Sequence, residues 1–251
     1  MHIVWLTAVG VGGATVFGAV VGFLFKNLSR RFSNTVLSFA AGVMLAASVI
    51  GLILPSLEYG GIWALPLSLS GIFIGAAMLV LFDRLTPHLH QLVGLDKPMH
   101  TEERRRANRV LLFVTAIAVH NLPEGIAAGV AFGTGNIAEA LTVAGGIALQ
   151  NIPEGMVVIA PMLSAGVSKG RTFLIAVFTG VIEVIGTFIG YFAVALSTAV
   201  LPFMLAFAGG TMLFVISDEM IPETHTGEGD RIVTFSLLFG FAVMIVVSHF
   251  F

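Results

Sequence analysis

Residues 110–163 read VLLFVTAIAVHNLPEGIAAGVAFGTGNIAEALTVAGGIALQNIPEGMVVIAPML. Two apolar runs in this stretch are each long enough to cross about 30 Å of hydrocarbon, which takes roughly 20 residues of helix. Neither shows the two-residue alternation of a barrel strand, and backbone in lipid must satisfy its own hydrogen bonds, so both are predicted helices. Yet each run holds a carboxylate, Glu124 and Glu154, deep inside it. An ionisable group at that depth costs several kcal/mol and marks a functional pathway.

Working outward, six further apolar segments flank this pair. The full set is Ile3–Phe25, Val36–Leu54, Trp63–Phe82, Val110–Phe132, Ala138–Leu163, Phe173–Leu196, Val200–Ile216 and Ile232–Phe251. The seventh is short for a span. Composition agrees with a membrane protein: 57% of the 251 residues are hydrophobic and 10% are charged, against about a quarter charged in soluble domains. The expected fold is an all-α integral membrane protein of eight transmembrane helices, one transmembrane domain over residues 1–251. Ile3–Phe25 lacks a basic leader and a small-residue cleavage site, and reads as a retained helix rather than a signal peptide.

All 12 Lys and Arg residues fall in the connections after helices 1, 3, 5 and 7. Cytoplasmic loops carry the Lys/Arg excess, so those connections are expected inside and both termini outside, in a cell (plasma or inner) membrane. The longest, Asp83–Arg109, is then a cytoplasmic loop; its His88, His90 and His100 offer a weak metal-collecting tract beside an ordinary solvated reading. A net charge of −2 points to no nucleic-acid partner. With no cysteine, any metal site must use nitrogen and oxygen donors. Gly18 and Gly22, four residues apart, fit close helix contact or ordinary membrane-helix usage.

The strongest signal is a repeat. His120-Asn121-Leu122-Pro123-Glu124-Gly125 returns 30 residues later as Gln150-Asn151-Ile152-Pro153-Glu154-Gly155. In each copy the first residue and the Glu are i and i+4, so they share one helix face. Imidazole nitrogen, amide oxygen and carboxylate oxygen are all metal donors. Each Pro also frees a backbone carbonyl one turn earlier. His120 and Gln150 lie at matching depths, about 18 Å below the outer boundary at 1.5 Å per residue. A third carboxylate, Glu183, sits at a comparable depth in helix 6. No Lys or Arg accompanies these three Glu residues in the apolar segments, so protons or metal ions must neutralise them.

With these motifs the chain resembles the ZIP family of metal transporters (Zrt- and Irt-like proteins), in its compact prokaryotic form, over essentially its whole length. The resemblance implies a 3+2+3 arrangement, helices 1–3 and 6–8 being inverted repeats around helices 4 and 5. It implies a binuclear site built from His120, Asn121, Glu124, Gln150, Asn151, Glu154 and Glu183. It also implies a homodimer and an elevator-like movement that carries zinc, iron, manganese or cadmium into the cytoplasm. The segment Asp218–His225 resembles the family's polar inner exit, beside the plain reading of a capped helix end. The substrate is expected to be a divalent metal, Zn²⁺ foremost, with Fe²⁺, Mn²⁺, Cd²⁺ and Co²⁺ admitted by the donor set.

Asn151 departs from relatives that carry Asp there. Two divalent ions bring +4 against −3 from the Glu residues, so one tightly held metal is expected. His120, Glu154 and Glu183 would form its primary position, and Asn121, Glu124 and Gln150 an adjacent one. Two other readings stay open. An intramembrane metalloprotease would need His-Glu-x-x-His, which is absent, so no enzyme is expected. A proton-coupled organic solute carrier would also use buried Glu and His, but no buried Arg or Lys is present to grip an organic anion.

Overall fold

A computed structural model describes residues 1–25, 29–92, 119–164, 166–225 and 231–250. Among these residues there is helix and no strand. In chain order the long helices are α1 (His2–Leu24), α2 (Arg30–Ser48, continued to Ser56), α3 (Ala64–Leu92), α4 (119–130), α5 (Ile137–Ser164), α6 (Lys169–Leu196), α7 (Leu201–Val215, continued to Thr224) and α8 (Arg231–Phe250). Seven of them are long and apolar enough to cross a membrane. The expected beginning of the remaining helix at Val110 lies outside the described residues, as does the stretch 93–109.

Several helices outrun their apolar segments. The helix predicted from Val36 begins at Arg30, where the Ser29 hydroxyl accepts the Phe32 amide at 3.2 Å and caps the first turn. Helix α3 continues through Asp83 to Leu92, so the first part of the expected long loop is helical. The seventh segment is not short: the polar stretch 218–224 extends α7 rather than following it, giving a span of 24 residues from Leu201 to Thr224. Apolarity reports where lipid is, whereas helix continues wherever caps and hydrogen bonds allow.

Local chemistry explains the sharp reversal between α4 and α5. Gly135 adopts φ 76°, a left-handed conformation open to glycine. Asn136 then caps α5: its Oδ1 accepts the Ala138 amide at 3.0 Å, and its Nδ2 donates to Glu139 at 2.7 Å. Helices α2 and α7 each contain one π turn, Val49–Ile53 and Ile216–Met220, followed closely by Pro55 and Pro222. A proline lacks the N–H that would bond one turn back, and a wider turn accommodates the displaced carbonyls.

Packing sets α1, α4, α5 and α6 together as one group, with α3 along α7 and α2 along α8 as the other; α2 also packs along α5, so the two groups share one apolar core. Glycines carry the close crossings. A side chain at Gly12 would strike the Gly180 carbonyl and one at Gly180 the Gly12 carbonyl, at the crossing of α1 and α6. Gly18 and Gly22 face the carbonyls of Ile152 and Met156 on α5; Gly186 and Gly190 face those of Leu122 and Ile126 on α4. These pairs share one register. Gly12/Gly180, Gly18/Gly186 and Gly22/Gly190 are each 168 residues apart, and the carbonyls they meet come from equivalent motif positions.

Candidate metal site

The two motif copies meet at the centre of α1, α4, α5 and α6. Backbone crossings place them: Gly125 sits against the Glu183 carbonyl and Gly155 against the Thr15 carbonyl. No bulkier residue fits at either place, so the glycine of each motif sets how near its glutamate comes to the neighbouring helix. Pro153 lies inside α5 without ending it, as internal prolines in membrane helices do when neighbours satisfy the freed carbonyl.

The seven predicted residues are brought together, but not as one ligand shell. Asn121, Glu124, Gln150, Asn151 and Glu183 are almost wholly buried, with relative exposures of 4%, 1%, 0%, 1% and 0%; His120 and Glu154 are half-buried. The hydrogen bonds split them into two halves. In one, Gln150 Nε2 donates to Glu124 Oε1 at 2.8 Å. In the other, Glu183 Oε1 accepts from Asn121 Nδ2 and from Thr15 Oγ1, the latter at 2.5 Å, while Glu183 Oε2 accepts from Asn151 Nδ2 at 2.5 Å. Glu183 thus pairs with the two asparagines rather than with His120 and Glu154, a grouping different from the one donor chemistry suggested. Among the described residues no three His, Asp or Glu side chains converge as a preformed coordination set.

The remaining oxygens are the notable feature. Glu124 Oε2, Gln150 Oε1, Asn151 Oδ1 and Glu154 Oε1 are buried and have no hydrogen-bond partner. All four are acceptors. The amide donors of Gln150 and Asn151 are already directed at carboxylates, so what remains is an oxygen surface lacking positive charge. Buried acceptors without partners are rare and costly.

A cavity of about 690 Å³ runs from this cluster to the basic end of the molecule. His120, Asn121, Glu124 and Glu154 line its deep part, and Arg30, Asn34, Ser164 and Glu223 its mouth. Gln150, Asn151 and Glu183 do not line it. Along the wall, His120 Nε2 lies 2.9 Å from Glu219 Oε1, linking α4 to the π turn of α7. At the mouth, Asn34 Nδ2 donates to the Thr224 carbonyl at 3.0 Å, holding α2 to the end of α7.

Two participants were not singled out by sequence. In the sequence Glu219 reads only as part of the polar segment Asp218–His225 after the seventh apolar segment. Thr15 carried no signal, since a threonine in an apolar helix is ordinary; the shared register of Gly12, Gly18 and Gly22 with Gly180, Gly186 and Gly190 aligns it with Glu183 and could have found it.

A bundle of helices long and apolar enough to cross a membrane, closed around buried carboxylates, defines a multi-pass membrane protein. The ZIP zinc transporter family model matches residues 96–248, and this chain belongs to that family. It is 37% identical to zinc transporter ZIPB of Bordetella bronchiseptica, over 99% of this chain and 82% of the relative. It is 38% identical to zinc transporter GufA of Myxococcus xanthus, over 94% of each, and 30% identical to human zinc transporter ZIP11, over 92% of each. As in that family, the chain is a transporter and not an enzyme.

Proposed function

We propose that this protein carries divalent metal ions, Zn²⁺ first among them, into the cytoplasm across a cell membrane, with both termini outside and the basic ends of the helices inside. One observation carries the reading: Glu124 Oε2 and Glu154 Oε1, buried and without partners, belong to residues at the head of the cavity, with the unpartnered Gln150 Oε1 beside Glu124, and a cation is the partner they lack. His120, Glu124, Gln150 and Glu154 would hold the ion, and Asn121, Asn151 and Glu183 would form the adjoining half of the site. Ligation requires modest side-chain rotation, with Gln150 giving up its bond to Glu124. In this reading the cavity is the inward release path, and Glu219 and Glu223 are acidic stations along it.

An elevator-like movement and a 3+2+3 repeat fit the packing. Inside the α1/α4/α5/α6 group glycines meet backbone; toward α2 and α8 they meet side-chain tips, Gly51 against Val143 and Gly146 against Met244. A seam of flexible tips permits one group to shift against the other. The constant 168-residue register is what an inverted repeat of helices 1–3 and 6–8 produces. Fe²⁺, Mn²⁺, Cd²⁺ and Co²⁺ are expected competitors, and a homodimer is the expected assembly. Zinc uptake into proteoliposomes tests the reading: the unmutated protein should fill vesicles with zinc and Glu154→Gln should not. Equal uptake by both would refute it.

A further inference from the structure

We infer that Thr15 is a positioning residue that, together with Asn121 and Asn151, holds the Glu183 carboxylate in a closed hydrogen-bonded clasp and so keeps a second metal ion out of the site. This rests on the reading of the site as a zinc site, and goes beyond it by assigning a residue on α1 to the control of metal number.

The geometry of Thr15 is unusual for its setting. While Thr7 on α1 has no partner, Thr187, Thr142 and Thr211 each return their hydroxyl to a carbonyl of their own helix, to Glu183 at 2.9 Å, Ala138 at 2.9 Å and Ala208 at 2.7 Å. That is the ordinary resting place of a threonine in a helix. Thr15 instead reaches across to Glu183 Oε1 on α6 at 2.5 Å. The carbonyl one turn back, on Val11, is approached by Asn151 Nδ2 at 3.3 Å, the nitrogen that also donates to Glu183 Oε2. Asn151 therefore occupies the acceptor that Thr15 would otherwise use.

The result is a carboxyl group with three donors on its two oxygens. Glu183 is fully buried and takes donors on both oxygens from α1, α4 and α5. Short hydrogen bonds to a carboxyl group are strong ones, so these donors compete with metal for the Glu183 oxygens. The neighbouring Glu124 and Glu154 each retain an oxygen with no partner. A short hydroxyl can reach Glu183 only because α1 and α6 touch backbone to backbone at Gly12 and Gly180, one turn away. An aspartate at position 151 could not donate, and the clasp would open to a cation. A valine at position 15 would remove one donor with little change of shape.

The test is zinc titration of the purified, detergent-solubilised protein by calorimetry, with metal counted by mass spectrometry after gel filtration. The unmutated protein and Thr15→Ser should each hold one zinc tightly. Thr15→Val should keep that first affinity within about threefold and tighten a second zinc by roughly tenfold, the worth of one hydrogen bond to a charged group. Asn151→Asp should act in the same direction. Thr15→Val overturns the inference if its titration matches the unmutated protein, or if it loses the first zinc. Glu154→Gln separates the two levels of the account: if it still binds the first zinc, the zinc-site reading itself fails, whatever Thr15→Val does.

Discussion

Within the α1/α4/α5/α6 group a side chain added at Gly18, Gly125, Gly155 or Gly186 would meet a backbone carbonyl; along the seam with the other helices, one added at Gly51 or Gly146 would meet the methyls of Val143 or the thioether of Met244. The contrast is physical. Backbone cannot yield without moving a helix, whereas a methionine end rotates at little cost. Closely crossed backbones hold the group together as one body and set how near its carboxylates approach one another. Side-chain tips at the seam leave the relation between bodies adjustable. A carrier needs both: a site that stays intact and a surface that slips.

The sharpest way to break this comparison is to put a side chain on each surface. Gly18→Val forces α1 off α5, and overpacking of this kind costs roughly 3 kcal/mol or more; thermal unfolding in detergent should show a large fall in stability, with transport lost. Gly146→Ala should lower the unfolding midpoint far less and slow zinc flux several-fold, because the added methyl meets the flexible end of Met244 rather than backbone. If both variants lost stability equally, the two surfaces would not differ as described.

Less than the loss of the fold, but near-complete for transport, is the expected effect of neutralising the site. Glu124→Gln and Glu154→Gln each remove a charge from a low-dielectric pocket, where one carboxylate less weakens cation binding strongly. Zinc flux should fall about a hundredfold or more with gel-filtration behaviour unchanged. Glu183→Gln differs in kind: it places an amide among three donors, so transport should fall through loss of the clasp and stability should fall with it.

Much of this was legible in the chain. The paired Pro-Glu-Gly motifs named the two central helices, and their matched depth brought Glu124, Glu154 and Glu183 to one level. Helix ends were less legible, because hydropathy stops at the lipid boundary while Ser29 caps a helix that starts at Arg30, and the polar residues after Ile216 remain helical through a π turn. The partition of the site could not be read at all. Which oxygen an amide donates to depends on helix crossings that glycines set, and Thr15 lies 168 residues from the carboxylate it holds.

A smaller effect is expected from pH. His120 can ligate metal only when neutral, and protons compete with metal for the carboxylates. Zinc flux should therefore decline as pH falls below about 6, by a few-fold rather than to zero. Stopped-flow uptake across a pH series measures it; flux that rises through this range would point to a proton-driven cycle instead of simple competition.

The central claim is that the unpartnered oxygens at the head of the cavity are where zinc binds on its way through the membrane. Zinc flux into proteoliposomes containing an internal fluorescent indicator, compared for the unmutated protein and Glu154→Gln at equal reconstituted amounts, tests it most directly. The account predicts rapid, saturable filling with the unmutated protein and a rate near that of empty vesicles with the variant. Equal, saturable filling by both would contradict it.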